Sequence, residues 1–421
     1  MTSILSVLAA FAIILIDLLG RAGLDKVLAL TGGPAMVALW AQLQSVVELV
    51  STVALAGVLQ GLTVLISQVR GSRDERGLLR DALRLGLATS LAVAVFAPVL
   101  GHSLSGGKID ADLFWLAALA GCITVVPATL NAYWLGKHRQ QRMLGLALLA
   151  STILLLLATG AWFGLSLRGL LLAQCLALLL IGSAIWRHLR KLSGARDANT
   201  ERTEYFDKLV KFVPVGLAIG IMSPVSVLLV RGMLSGSLSW DEVGFIQALW
   251  RSTEWVTATA AGVLSLIFLP RFSSTYGTRY SSGQFKKEMT RAAALVLIPA
   301  ACLLLVIFLN QRAMLAALYD ARFVVSDETA ALFMLGSWVR IASWVFLFGL
   351  FAAHRTKLII AGEVLSLPLY ALLLWLFADG MTLERTALLY LASYLVYLGF
   401  TAISLLYPLR AKFSLAASLR R

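Results

Sequence analysis

The sequence predicts an all-α polytopic membrane protein of about twelve transmembrane helices, arranged as two related halves of six. Three observations carry that expectation: long apolar runs, a lopsided sharing of Lys and Arg among the loops, and charged positions that recur in both halves. Of 421 residues, 59% are hydrophobic and 14% charged, with mean hydropathy +0.85. A soluble domain carries about 25% charged residues. The apolar residues lie in blocks such as 144–157 and 170–185, which read as bilayer crossings rather than buried core helices.

The expected spans are 4–30, 36–69, 80–104, 112–135, 143–164, 168–187, 209–234, 241–270, 289–310, 329–352, 357–378 and 386–408. Several exceed the roughly 20 residues that cross a bilayer, which predicts tilted or protruding helices. The apolar start runs into Asp17 and Arg21 without a small-residue cleavage site, so it reads as the first helix. An even count places both termini on one side. One set of alternating loops holds 25 Lys and Arg; the other holds only five, Lys108, Arg168, Arg312, Arg322 and Arg385. The positive-inside rule then makes both termini cytoplasmic. The same bases, set beside anionic headgroups, explain the net charge of +14 and give no sign of a nucleic-acid surface. Cys122, Cys175 and Cys302 lie inside apolar segments with no CxxC, so neither a disulfide framework nor a zinc site is indicated.

The polar loop between Arg187 and Lys211 lies at the midpoint and divides the chain. An N-lobe of helices 1–6 (1–190) is followed by a cytoplasmic linker (191–208) and a C-lobe of helices 7–12 (209–421). Lys26 and Arg231 fall near the end of the first helix of each half, and Glu48 and Glu254 near the middle of the second. His138-Arg139 and His354-Arg355 follow the fourth. Equivalent positions face the same side, so the repeat is parallel, related by an axis along the membrane normal.

Charge inside the membrane is where function concentrates. Arg21, Lys26, Arg84, Arg231, Arg251 and Arg340 are embedded bases, and Asp17, Asp25, Glu48, Glu254 and Glu363 embedded acids. Each costs about 2.5–3.5 kcal/mol at the bilayer centre, so these groups face a polar cavity or one another. Asp17, Arg21 and Asp25 recur every four residues and either form an ion-pair ladder or serve a cavity. Arg251 and Glu254, three apart, either neutralise each other or act on cargo. Lys26 and Arg231 either snorkel or bind, whereas Arg84 reads as snorkelling to the cytoplasmic face. Trp250 and Trp255 read as packing residues. Bases converging from several helices, Arg251, Arg340, Lys26, Arg231 and Arg21, point to an anionic cargo. Glu254, Glu48 and Glu363 are the candidates for coupling to an ion. No phosphate-binding loop, H-E-x-x-H or nucleophile–base pair is present, so the chain reads as a transporter and not an enzyme, with no metal and no cofactor.

The segment DEVGFIQALWRSTEWVTATAAGVLSLIFLPRFS (241–273) resembles the eighth helix of Wzx-type oligosaccharide-lipid flippases, with its D-E-V-G opening, Gln247, mid-helix Glu254 and closing Leu269-Pro270. LYDARFVVSDETAALFMLGSWVRIASWVF (318–346) is similar to the ninth-to-tenth helix region, where Arg340 occupies a basic position. HRTKLIIAGEV (354–364) is similar to the lead into helix eleven, including Glu363. DKVLALTGGPAMVAL (25–39) resembles the family's basic-residue and small-turn segment. Among relatives the likeness is greatest to the branch that carries the enterobacterial common antigen repeat. The resemblance implies the MOP-exporter fold, two six-helix lobes in a V with helices 1, 2, 7 and 8 lining a cavity. It also implies a bacterial inner-membrane flippase for undecaprenyl-diphosphate oligosaccharides of the O-antigen and common-antigen kind. The implied partners are that polyprenyl-diphosphate oligosaccharide, membrane lipids, a coupling ion (H+ or Na+) and glycan-assembly proteins such as a polymerase. A drug or cation exporter of the same superfamily, a lipid II flippase and a membrane-embedded glycan enzyme are the rivals. The first favours an acidic cavity, the second usually has fourteen helices, and the third usually carries a large periplasmic loop.

Overall fold

A computed structural model describes residues 2–68, 72–137, 139–192, 206–210, 213, 221–277 and 282–418, and among them every regular element is a helix. In chain order these are α1 (Thr2–Ala54), α2 (Val58–Gln68), α3 (Ser72–Leu104), α4 (Ala111–Gly136), α5 (Gln140–Trp162) and α6 (Leu167–Leu192). A short α7 (Phe206–Val210) precedes α8 (Met222–Ser237) and α9 (Trp240–Val263), which continues through a π-helical turn (Leu264–Phe268) into α10 (Leu269–Gly277). Then come α11 (Ser282–Leu309), α12 (Gln311–Leu318), α13 (Asp327–Ala352), α14 (Thr356–Val364), α15 (Leu367–Leu376) and α16 (Leu383–Ser418).

Nine helices among the described residues are long and apolar enough to cross a membrane. The first of them, Leu15–Ala54, contains two expected crossings, because α1 breaks at Gly33 (φ 72°, ψ −167°). Glycine takes the left-handed conformation without a Cβ clash, and Pro34, with its fixed φ and missing donor, starts the next helical segment. The sixth crossing appears as the shorter apolar Leu167–Ser183. The seventh, expected at 209–234, is described in its second part as α8. Residues 193–205, most of the expected linker, lie outside the described residues, as does His138 of the proposed repeat.

Packing distinguishes two compact units, Met1–Asp241 and Glu242–Arg421, so that α8 packs within unit 1, against α1 and α3. In unit 1, α4 packs on α1, α2, α3 and α6. In unit 2, α13 packs on α10, α11 and α16. The fourth long helix of each half is therefore the hub. Each hub carries a glycine where a neighbour comes close: a Cβ at Gly121 would lie 2.9 Å from the Val47 carbonyl oxygen, and one at Gly336 would lie 2.6 Å from the Tyr390 ring. Small residues let membrane helices gain dispersion contacts that lipid cannot supply. Ser326 caps α13 by accepting from Thr329 N at 3.2 Å, and Asp327 and Glu328 in the first turn complement the positive helix end.

Candidate transport site

In unit 1 the break at Gly33 folds α1 back on itself and brings charges from both arms together. The Arg21 guanidinium lies 3.0 Å from Asp17 and 3.8 Å from Glu48. These side chains are 35%, 41% and 52% exposed respectively. Asp25 is buried and Lys26 half-buried on the same arm. Arg231 of α8 turns onto the second arm, where its guanidinium donates to the Ala41 carbonyl oxygen at 2.7 Å and to the Ser45 hydroxyl. Lys108 donates to the Ser235 carbonyl oxygen at the end of α8, and Asp241 accepts from Ala35 N at 3.1 Å, where the second arm of α1 begins. A cation at a helix C-terminus and a carboxylate at an N-terminus both complement the helix dipole. Arg84 is exposed.

In unit 2 the i, i+3 spacing on α9 does close an ion pair, Arg251 to Glu254 at 2.6 Å, with both partners half-buried. Arg340 of α13 is held differently. Its guanidinium carbon lies 4.8 Å from the Trp344 ring and 5.6 Å from the Tyr394 ring, with the Tyr390 hydroxyl beside it. No carboxylate stands within ion-pair distance of it among the described residues, although Glu254 and Glu363 lie within electrostatic reach. Glu363 sits near the end of α14, where the eleventh crossing is interrupted, and accepts from the Tyr397 hydroxyl at 3.4 Å.

The tyrosines were not anticipated as site residues. Tyr390, Tyr394 and Tyr397 recur at i, i+4 and i+7 on one face of α16, and all three are buried, as is Tyr370 of α15. Phe333 stacks on Tyr390 with ring centroids 4.5 Å apart, and Trp250 packs at 6.0 Å from Tyr390 and 6.3 Å from Phe333. Trp250 is thus a packing residue. The run YLASYLVY (390–397) carried the spacing signal openly. No group of three or more His, Cys, Asp or Glu among the described residues could hold a metal.

The backbone has close counterparts among solved structures. An inward-facing multidrug resistance MATE family transporter of the MOP superfamily is similar at TM-score 0.70 and 14% identity, over 97% of this chain and 95% of that one. The chain has the MATE-like fold of the MOP superfamily. A second MOP transporter, from Pyrococcus furiosus and described by the reverse polarity of its binding pocket, is similar at TM-score 0.63 and 13% identity, over 98% and 94% of the two chains. Among curated proteins, the lipid III flippases of Escherichia coli (strain K12) and Shigella flexneri are each 24% identical over 391 residues, covering 88% of this chain and 90% of theirs. No family model matches the chain. By name, the curated relatives are flippases and the solved structure first described is a multidrug resistance transporter.

Proposed function

We propose that the chain flips an undecaprenyl-diphosphate-linked oligosaccharide from the cytoplasmic to the periplasmic leaflet of the bacterial inner membrane, by alternating access. The observation that carries this reading is Arg340: a membrane-embedded guanidinium held by aromatic faces and a hydroxyl, with its charge unspent on a contacting carboxylate. Unpaired sugar hydroxyls or diphosphate oxygens cost several kcal/mol each in hydrocarbon, so unaided flipping is negligible. A planar guanidinium binds phosphate oxygens in bidentate, charge-assisted pairs. The likeness to lipid III flippases supports the cargo class. Arg251 is the second base of this unit, shared with Glu254. Glu254 and Glu363, close enough to feel the charge of Arg340, are the carboxylates we assign to a coupling ion, H+ or Na+.

Complementation tests the function. Expressed in a strain lacking its own flippase for a lipid-linked surface glycan, the chain should restore the glycan at the cell surface. Growth in cationic drugs without glycan restoration would put an exporter in its place. For orientation, single cysteines at Ser193 and Ser237 should label from the cytoplasm and the periplasm respectively; periplasmic labelling at 193 would invert the topology.

A further inference from the structure

Arg21 lies 12 residues before Gly33 and Glu48 lies 15 after it. At about 1.5 Å per residue they sit about 18 and 22 Å from the turn, deep in a hydrocarbon core about 30 Å thick. The first arm of α1 is exposed on two faces at this depth. Leu15 (49% exposed) and Leu19 (54%) form one face. Successive helical residues rotate by about 100°, so Asp17 and Arg21 stand about 200° away, on the opposite side. Helix α5 packs between the two faces, where the Ser151 hydroxyl donates to the Ile16 carbonyl oxygen at 2.8 Å. An all-leucine face suits lipid. A face of charged groups at the same depth is solvated only by water or by a polar ligand. The second arm adds exposed Glu48 and Thr52, with Gln44 one turn before Glu48. Gln44 exchanges amide hydrogen bonds with Gln174 of α6, at 2.9 and 3.3 Å.

Two carboxylates flank the one guanidinium of this cluster, so its donors already face fixed acceptors and the groups it offers outward are mainly carboxylate oxygens. Carboxylate oxygens accept from hydroxyl and acetamido N–H groups, and a guanidinium donates to hydroxyl, ring and carbonyl oxygens. We propose that Asp17, Arg21 and Glu48 bind the sugar portion of the cargo and select for it, a role distinct from diphosphate binding. This assignment rests on the flippase reading above and names the part of the cargo that unit 1 recognises.

The test is equilibrium binding to the full-length protein in lipid nanodiscs, with two probes: undecaprenyl diphosphate bearing chitotriose, and bare undecaprenyl diphosphate. Glu48→Gln and Asp17→Asn should each weaken binding of the sugar-bearing probe about ten- to hundredfold, the range for hydrogen bonds to a charged group, with the bare probe bound as before. The triple variant Asp17→Asn, Arg21→Gln, Glu48→Gln leaves no unpaired charge to unfold the hairpin and should show the same selective loss. An equal loss for both probes, or no loss for either, overturns the sugar site. So does a wild-type protein that binds the two probes equally well, which leaves the diphosphate reading standing. A wild-type protein that binds neither probe removes both.

Discussion

In unit 1 a guanidinium at mid-helix is flanked by two carboxylates and stands half in the open; in unit 2 the guanidinium of Arg340 lies against two aromatic rings, with no carboxylate in contact among the described residues. Each unit has one helix as its hub, α4 in the first and α13 in the second. A guanidinium placed inside a bundle is thus defined by what packs against it rather than by its position on a helix. The ion cluster of unit 1 spends the guanidinium on fixed partners. Rings stabilise a cation by about 0.5–2 kcal/mol without engaging its N–H groups, of which Arg340 shares some with the Tyr390 hydroxyl. On the proposals made above, the second arrangement is the one suited to an anion and the first the one suited to neutral polar groups.

The comparison breaks most sharply at Arg340. Arg340→Ala should reduce glycan transport more than about a hundredfold at matched membrane levels, the scale of losing charge-assisted bonds to an anion. Arg340→Lys should recover only a small part, because an ammonium keeps the charge and loses the planar fork. Transport near wild type in either variant would return Arg340 to a packing role. The Arg251–Glu254 pair sharpens the contrast at the next level. Arg251→Gln alone should lower stability in detergent by about 1–3 kcal/mol, less than the full penalty for a buried pair because both groups are partly solvated. Adding Glu254→Gln should restore stability to within about 1 kcal/mol. Transport by that stable double variant then separates a structural pair from a cargo-binding one. A smaller effect is expected at Gly33, where Gly33→Ala places a Cβ at positive φ and should cost about 1–2 kcal/mol in thermal stability. Smallest is Lys108→Met, which removes the cation at the end of α8 and should cost about 0.3–1 kcal/mol.

Hydropathy made the fold class legible because the bilayer imposes a length of apolar chain on every crossing, and nearly all expected spans correspond to helices. Interruptions inside the spans were harder. The π-turn at Leu264–Phe268 lies in apolar sequence just before Pro270, and the joint between α14 and α15 falls at Glu363, Ser366 and Pro368, single residues that hydropathy averaged over a whole span does not register. Gly33-Pro34 was readable, since each residue has a backbone reason to be there. The site divides the same way. Arg251 and Glu254 pair through one turn of one helix, so their spacing predicts it. Arg21 meets Glu48 across the hairpin, 27 positions away, and that contact depends on the register of two packed arms. Whether a given base meets an acid or a ring is decided by tertiary packing. Arg340 finds Trp344 one turn along its own helix, but Tyr394 comes from α16.

The hairpin in α1 also bears on how the protein enters the membrane during synthesis. The first arm alone would carry Arg21 already paired with Asp17, whereas the second alone would carry Glu48 without Arg21. Each unpaired charge would add about 2.5–3.5 kcal/mol to the cost of partitioning. With Gly33 and Pro34 at the turn, the two arms present a closed ion cluster only as a pair. Membrane insertion of the nascent chain is therefore cheapest when both arms leave the translocation machinery together, as one two-helix unit.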